Sequence, residues 1–446
     1  MEFNLSLAVI FAYLFIVIII GLISSRKVKS EKGFFLADRS IGWLTLTATI
    51  TATTVGGSAT IVAGGRIYAQ GLPALWYDIG GGLGLIILGL FLANKVRKTG
   101  LITLPDITGS FFGDNVRIGS AILIIITEIA WVSLLIQASG LILSVVINVD
   151  YTVILFIITI GFILYTIIGG QYAVIYTDFI QFFIMIIGIC FIAAPLLLWE
   201  ALPNLNQLSS ISLAFPVNQE IGILTAGSIF FMMFMPHIVG PDIYSKLLSA
   251  KDEKTAKKGA IFSGIFKLIF AIGIAIIALS ALILHPGLSN PYLAIPTAVF
   301  NLSPIVSGII LAGFLSVMIS SADSCLLSAG TILSVDIFKK NNINISRFGI
   351  LIVGFGAFIL AIFLGDILKT LQLAYTVFTA GLTLPIIFGF YREKTRVTSR
   401  GAFWSLLIGG SISILWLYFS SFGDYAVLVG LVFSLIPLLM FREGEK

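Results

Sequence analysis

Thirteen stretches of the chain, each about twenty or more mainly apolar residues long, limit what it can fold into more than any single motif does. They lie near 4–24, 42–69, 72–94, 118–147, 151–168, 178–199, 221–240, 259–284, 304–334, 347–365, 368–391, 402–419 and 424–441. A helix needs about 20 such residues to cross the hydrocarbon core of a bilayer. Lipid offers no water to satisfy the backbone, so a series of this kind predicts an all-α polytopic bundle. Composition agrees, with 58% hydrophobic and 11% charged residues, where soluble domains carry roughly 25% charged. Soluble enzymes, nucleic-acid binders and disordered scaffolds are excluded. The first stretch follows Glu2 rather than a basic run and is too long for a signal peptide, so it reads as a span. Cys190 and Cys325 lie in apolar surroundings and argue against a disulfide framework.

Charge orders these spans. With the N-terminus outside and loops alternating, 23 of the 26 Lys and Arg fall on the cytoplasmic side. They cluster at 25–41, 95–117, 246–258, 335–347 and 392–400 and at the C-terminus, the first and last groups including Lys27 and Lys446. The net charge of +5 therefore marks a membrane face of a multi-pass protein of the cell membrane, not a nucleic-acid patch. Arg66, Lys267 and Lys369 fall elsewhere and are expected to snorkel to the membrane surface. The segment 246–258, beginning at Lys246, reads as a short amphipathic helix at the inner surface.

Two spans carry helix breakers at mid-depth. The second has Gly56-Gly57, and the seventh has Pro236, Gly240 and Pro241. Backbone groups freed inside a membrane must be satisfied by protein, ion or substrate. These spans open two consecutive groups of five, which points to an inverted-repeat transporter with its site at mid-membrane. The expected divisions are 1–34 (an extra helix and inner loop), 35–200 and 201–395 (the two repeats), and 396–446 (two further helices).

Few polar side chains remain at membrane depth. Ser320, Asp323 and Ser324 share one face of the ninth span, with Ser321 beside it. A carboxylate among hydroxyls suits a hard cation, and an intramembrane Asp needs an ion, a pathway or a partner. Thr177 and Asp178 begin the sixth span, where Asp178 either binds a cation or caps its helix. Glu128 is expected to be a buried hydrogen-bonding group. Asp78, after Trp76 and Tyr77, could receive a polar or cationic solute, and His237 lies in the break of the seventh span.

These residues belong to segments that resemble the sodium:solute symporter family. The segments are F-F-L-A-D-R-S-I-G-W (34–43), A-T-T-V-G-G (52–57), G-G-Q-Y-A-V-I-Y-T-D-F-I-Q (169–181), S-S-A-D-S-C-L-L-S-A-G-T-I-L-S-V-D (320–336) and G-A-F-W (401–404). The resemblance implies a five-plus-five inverted repeat of the leucine-transporter type with one helix before it and two after. It also implies a Na⁺ site formed by the carbonyls of Ala52, Val55 and Val317 and the hydroxyls of Ser320 and Ser321. A second ion site of some members maps onto Asp178, Ser320, Asp323 and Ser324; a serine commonly stands where this chain has Asp323, which leaves a second sodium, a proton or a salt bridge as its role. The nearest local motifs are those of choline transporters, with Glu128-x-x-Trp131, yet Thr54 and Gly240 stand where that branch has tryptophans. Against proline transporters, Met233 and His237 replace pocket aromatics.

The expected function is Na⁺-coupled symport of a small polar organic solute, with Thr54, Asp78, Met233, His237 and Tyr375 as candidate solute contacts. No protein partner is indicated. Two alternatives stand beside it. One is a proton-coupled transporter on the same fold, using Asp178, Asp323 or His237. The other is an intramembrane aspartyl protease built on Tyr77-Asp78 and Gly365-Asp366.

Overall fold

In the computed structural model, which describes residues 5–26 and 28–443, the apolar stretches are helices. Glu2, Lys27 and Lys446 lie outside those residues. Among the described residues, eleven helices are long and apolar enough to cross a membrane, and the bent pair Trp43–Thr54 and Ser58–Gln70 supplies a twelfth span. One of the eleven, Tyr151–Gln207, has 57 residues. At 1.5 Å per residue it would reach about 85 Å, far beyond a core of ~30 Å. It is interrupted at Gly170, with φ +56° and ψ −169°, and so provides two spans, 5 and 6. The count is then thirteen, as the apolar stretches predict.

In chain order the others are span 1 (Leu5–Ser25), span 2 (the bent pair), span 3 (Leu72–Phe91), span 4 (Asp114–Ser144), span 7 (Ile223–Ser249) and span 8 (Glu253–Leu284). Then follow span 9 (Pro304–Ile337), span 10 (Ile343–Leu364), span 11 (Ile367–Phe390), span 12 (Ser399–Phe419) and span 13 (Gly423–Met440). Span 9 is the axis of the bundle, 78% buried, against 22% for span 1 and 33% for spans 10, 12 and 13. The outer spans present large apolar side chains outward, such as Phe363 and Phe419 at 83% and 85% exposed, which only lipid accommodates without cost.

Spans 2 and 7 break where the glycines and prolines stand. The halves of span 2 meet at 62° across residues 55–57. Span 7 divides into Ile223–Val239 and Pro241–Ser249 at Gly240, whose ψ of 134° is extended. Pro236 and Pro241 cannot donate to the helical ladder there. The backbone just before span 2 pairs with the backbone just after span 7: Ile41 N donates to Ser249 O (3.2 Å) and Lys251 N to Ile41 O (3.0 Å). Arg97 Nε closes on Ala250 O at 2.6 Å.

Four expectations need correction. The segment 246–258 is not a separate amphipathic helix: Pro241–Ser249 ends before Ala250, and Asp252 caps Glu253–Leu284 by accepting from Thr255 N (2.7 Å). Lys246 is therefore not a surface charge but fully buried. Lys267 does not snorkel either, because its side chain is wholly buried and finds partners at membrane depth. Asp178 caps nothing, since its helix resumes directly after Gly170 and Asp178 lies two turns inside it. Of the other two outliers, Lys369 is exposed and Arg66 half-buried.

Candidate functional site

The break in span 2 builds the site. Thr54 ends the first half-helix, whose last carbonyls lack intrahelical donors and carry the negative end of the helix dipole. Two of these carbonyls are engaged by different spans. Ser321 Oγ of span 9 donates to Thr53 O at 2.8 Å, and Lys267 Nζ of span 8 donates to Thr54 O. Gly56 allows the approach of span 9: a Cβ there would lie 2.7 Å from Ser321 Oγ and 3.0 Å from Leu135 Cδ2.

Ala52, Val55, Val317, Ser320 and Ser321 are all buried, on the two spans that meet at this break. Ser320 Oγ donates to Asp178 Oδ1 at 2.6 Å. With the protons of Ser320 and Ser321 committed elsewhere, their lone pairs are left for a cation. The donors are oxygen only, the preference of a hard ion. Among the described residues no group of three or more His, Cys, Asp or Glu side chains gathers to hold a metal.

Asp178 has more partners than the sequence reading foresaw. Its Oδ2 accepts from Thr49 Oγ1 and pairs with Lys246 Nζ at 3.0 Å, both side chains fully buried. Asp323 is different. Its Oδ1 lies 3.4 Å from Ser324 Oγ, and its buried Oδ2 has no hydrogen-bond partner. Ser324 Oγ also meets Thr53 Oγ1 at 3.0 Å. The lysine thus balances one of the two carboxylates, and the other has none.

Both helix breaks open on one narrow cavity of about 40 Å³. Thr54, His237 and Tyr375 line it, as do Ser58, Trp131 and Asp242. Tyr375 Oη and Ser58 Oγ lie 3.2 Å apart, and the Trp131 ring stands 5.3 Å from Tyr375 and 5.0 Å from Phe378. The indole Nε1 has no hydrogen-bond partner. His237 Nδ1 donates to Met233 O at 2.6 Å, which leaves Nε2 as the ring's second polar atom. Neither Met233 nor Asp78 lines the cavity, and Asp78 instead faces Lys267 at 3.7 Å.

Asp242, Lys246 and the lining role of Trp131 escaped the sequence reading. An acid immediately after Pro241, in a broken membrane helix, was the available signal for Asp242. Glu128 is fully buried, with the side chains of Cys325 and Ser328 beside its carboxyl. The two acids of the protease alternative, Asp78 and Asp366, have other partners. Asp366 caps span 11 by accepting from Leu368 N and Lys369 N (2.9 and 3.2 Å), while Asp78 pairs with a lysine.

Known proteins resemble this chain in sequence and in fold. The model of the sodium:solute symporter family matches residues 34–409. A high-affinity choline transporter 1 of Drosophila melanogaster is 35% identical over 180 residues, covering 39% of this chain and 29% of that protein. The matched part thus spans less than a third of the fruit-fly transporter's length. A sodium/proline symporter of Staphylococcus aureus is 24% identical over a 474-residue alignment covering 97% of this chain and 91% of the relative. A solved Na⁺-coupled sialic acid symporter, in a substrate-bound outward-open state, shares the fold with a TM-score of 0.82. It has 18% identity and covers 98% of this chain and 97% of that one. The chain belongs to the sodium:solute symporter family, membrane-spanning secondary transporters of leucine-transporter-type fold, not enzymes, with Na⁺ as the coupling ion.

Proposed function

We propose that this protein carries a small polar organic solute into the cell together with Na⁺, by alternating access. In this reading it resides in the plasma membrane with its N-terminus outside and its C-terminus cytoplasmic, and residues 35–200 and 201–395 are the two inverted repeats. The carrying observation is the meeting of spans 2 and 9, where freed carbonyls and the hydroxyls of Ser320 and Ser321 converge. Na⁺ bound by Ala52, Val55, Val317, Ser320 and Ser321 orders the broken helix and favours the outward-open form. Ion and solute then stabilise the same closed state, so each raises the affinity for the other by an equal factor.

The lining of the cavity supports a narrower solute class. Asp242 supplies a carboxylate, Trp131 and Tyr375 supply ring faces, and Thr54, Ser58 and His237 supply hydrogen-bonding groups. A carboxylate beside aromatic faces favours an amine-bearing solute, cationic or zwitterionic. Asp78 and Met233 then act from behind this wall rather than in it. A screen of the purified protein by thermal shift against amines, amino acids, carboxylates and sugars, with and without Na⁺, tests the reading. Amine-bearing ligands should stabilise it by about 2.7 kcal/mol at a hundredfold excess over Kd, and more with Na⁺ present. Stabilisation by sugars or simple carboxylates alone would overturn the amine class.

The second reading is proton coupling on the same fold. The observation that favours it is the unpartnered Oδ2 of Asp323, beside an Asp178 already paired with Lys246. Asp178, Asp323 and Ser324 would then hold a proton in place of a second Na⁺. Uptake driven by a pH gradient without sodium distinguishes the two.

A further inference from the structure

Lys267 extends from span 8 into the middle of the bundle, and its side chain is wholly buried. Its Nζ donates to Thr54 O at the broken end of the first half of span 2 and stands 3.7 Å from Asp78 Oδ1. Both oxygens of Asp78 are buried and make no hydrogen bond, so the carboxylate relates to the ammonium through charge alone. Span 3 leaves room for this path only because residue 81 is glycine. A Cβ there would lie 2.4 Å from Lys267 Cε and 2.9 Å from His237 Nε2.

A buried ammonium persists only where it is paired. The partners here, a carbonyl at the negative end of a half-helix and a carboxylate, are the oxygen donors that an alkali cation also takes. At the same break the neighbouring carbonyl, Thr53 O, meets Ser321, one of the hydroxyls read as a Na⁺ ligand. The break therefore presents two electronegative carbonyls, and the lysine takes one of them.

We propose that Lys267 is a resident, covalently tethered monovalent cation. It occupies an alkali-ion position formed by Thr54 O and the Asp78 carboxylate, and so removes one exchangeable ion from the transport cycle. This rests on the reading of the span 2 break as ion-coordinating and extends it to the neighbouring carbonyl. A chain without the ammonium leaves Asp78 uncompensated at a site that already has oxygen donors, and a free cation, rather than a proton alone, is expected to take its place.

Equilibrium binding of radioactive ²²Na⁺ to the purified full-length protein tests this by difference. Lys267→Met should bind one more Na⁺ per chain than the unaltered protein, and Lys267→Met/Asp78→Asn should lose that extra ion. Lys267→Gln gives the same readout where Lys267→Met does not fold. Equal counts in the unaltered and Lys267 variants overturn the proposal, as does an extra ion that persists in the double variant. Absence of bound Na⁺ from the unaltered protein would overturn the Na⁺ site between spans 2 and 9. The gain of one ion in Lys267→Met would still decide the tethered cation.

Discussion

Ser320 and Ser321 are neighbours on one helix, yet their hydroxyl protons go to different elements, one to Asp178 of span 6 and one to Thr53 of span 2. That division is what the proposed Na⁺ site requires, because it commits both protons and leaves the oxygen lone pairs for the ion. A charged hydrogen-bonding or ligand contact is worth about 1.5–3 kcal/mol, and 1.4 kcal/mol is a factor of ten. Ser320→Ala and Ser321→Ala should therefore each raise the Na⁺ concentration for half-maximal ligand binding by about tenfold or more. A Na⁺ titration of thermal stability measures this, and unchanged titrations in both variants would remove these residues from the site. Both serines stood out in the sequence, because hydroxyls beside an intramembrane acid are rare. The lysines did not. Lys246 was counted with a basic loop because sequence alone leaves a helix end uncertain by a turn, and one turn separates surface from core. Its partner Asp178 is 68 positions away, a distance that only the fold closes.

At the scale of elements, the Lys246–Asp178 pair joins the second half of span 7 to span 6, and through Thr49 and Ser320 to spans 2 and 9. Removing one partner of a buried pair strands a charge and costs roughly 3–5 kcal/mol, whereas removing both is often close to neutral. Lys246→Met and Asp178→Asn should each destabilise the protein by that amount, and the double variant should recover most of it. Denaturation of all three variants in detergent gives the coupling. If the single changes simply add, these charges do not act as a pair. The breaks were legible, since Gly56-Gly57 and the Pro236–Pro241 cluster sit at the depths where the helices bend. What those breaks face was not legible. Gly56→Val should force spans 2 and 9 apart, because even a Cβ would lie 2.7 Å from Ser321 Oγ. Overpacking of this kind costs about 1–3 kcal/mol. The variant should also lose its stabilisation by Na⁺, and a retained Na⁺-dependent shift in melting temperature would contradict the close approach.

Over the whole molecule, burial separates a core from a lipid-facing rim. The apolar middle of span 9 is 78% buried, while those of spans 1, 10, 12 and 13 are one-third buried or less. Na⁺ binding should therefore slow amide hydrogen exchange around residues 55–57 and 240 and leave spans 12 and 13 unchanged. Mass spectrometry of the exchanged protein reads this directly, and protection spread evenly over all spans would argue against a local ion site. The number of spans was readable because hydrophobic thickness sets helix length. Asp242 was hidden for the opposite reason. Nothing in its neighbourhood along the chain reveals that span 4 brings Trp131 to the same cavity.

The backbone pairing of Ile41 with Ser249 and Lys251 has a mechanical result. It joins the start of the first half of span 2 to the end of the second half of span 7, at the ends farthest from the two breaks. The two half-helices form a single lever with two legs, pinned at its base. In the proposed reading, an ion bound at the tip of one leg, at Thr53 and Thr54, also swings the tip of the other, where Asp242 flanks the cavity. Coupling between ion and solute then needs no direct contact between them, only a stiff base, and loosening that base would turn a symporter into a leak.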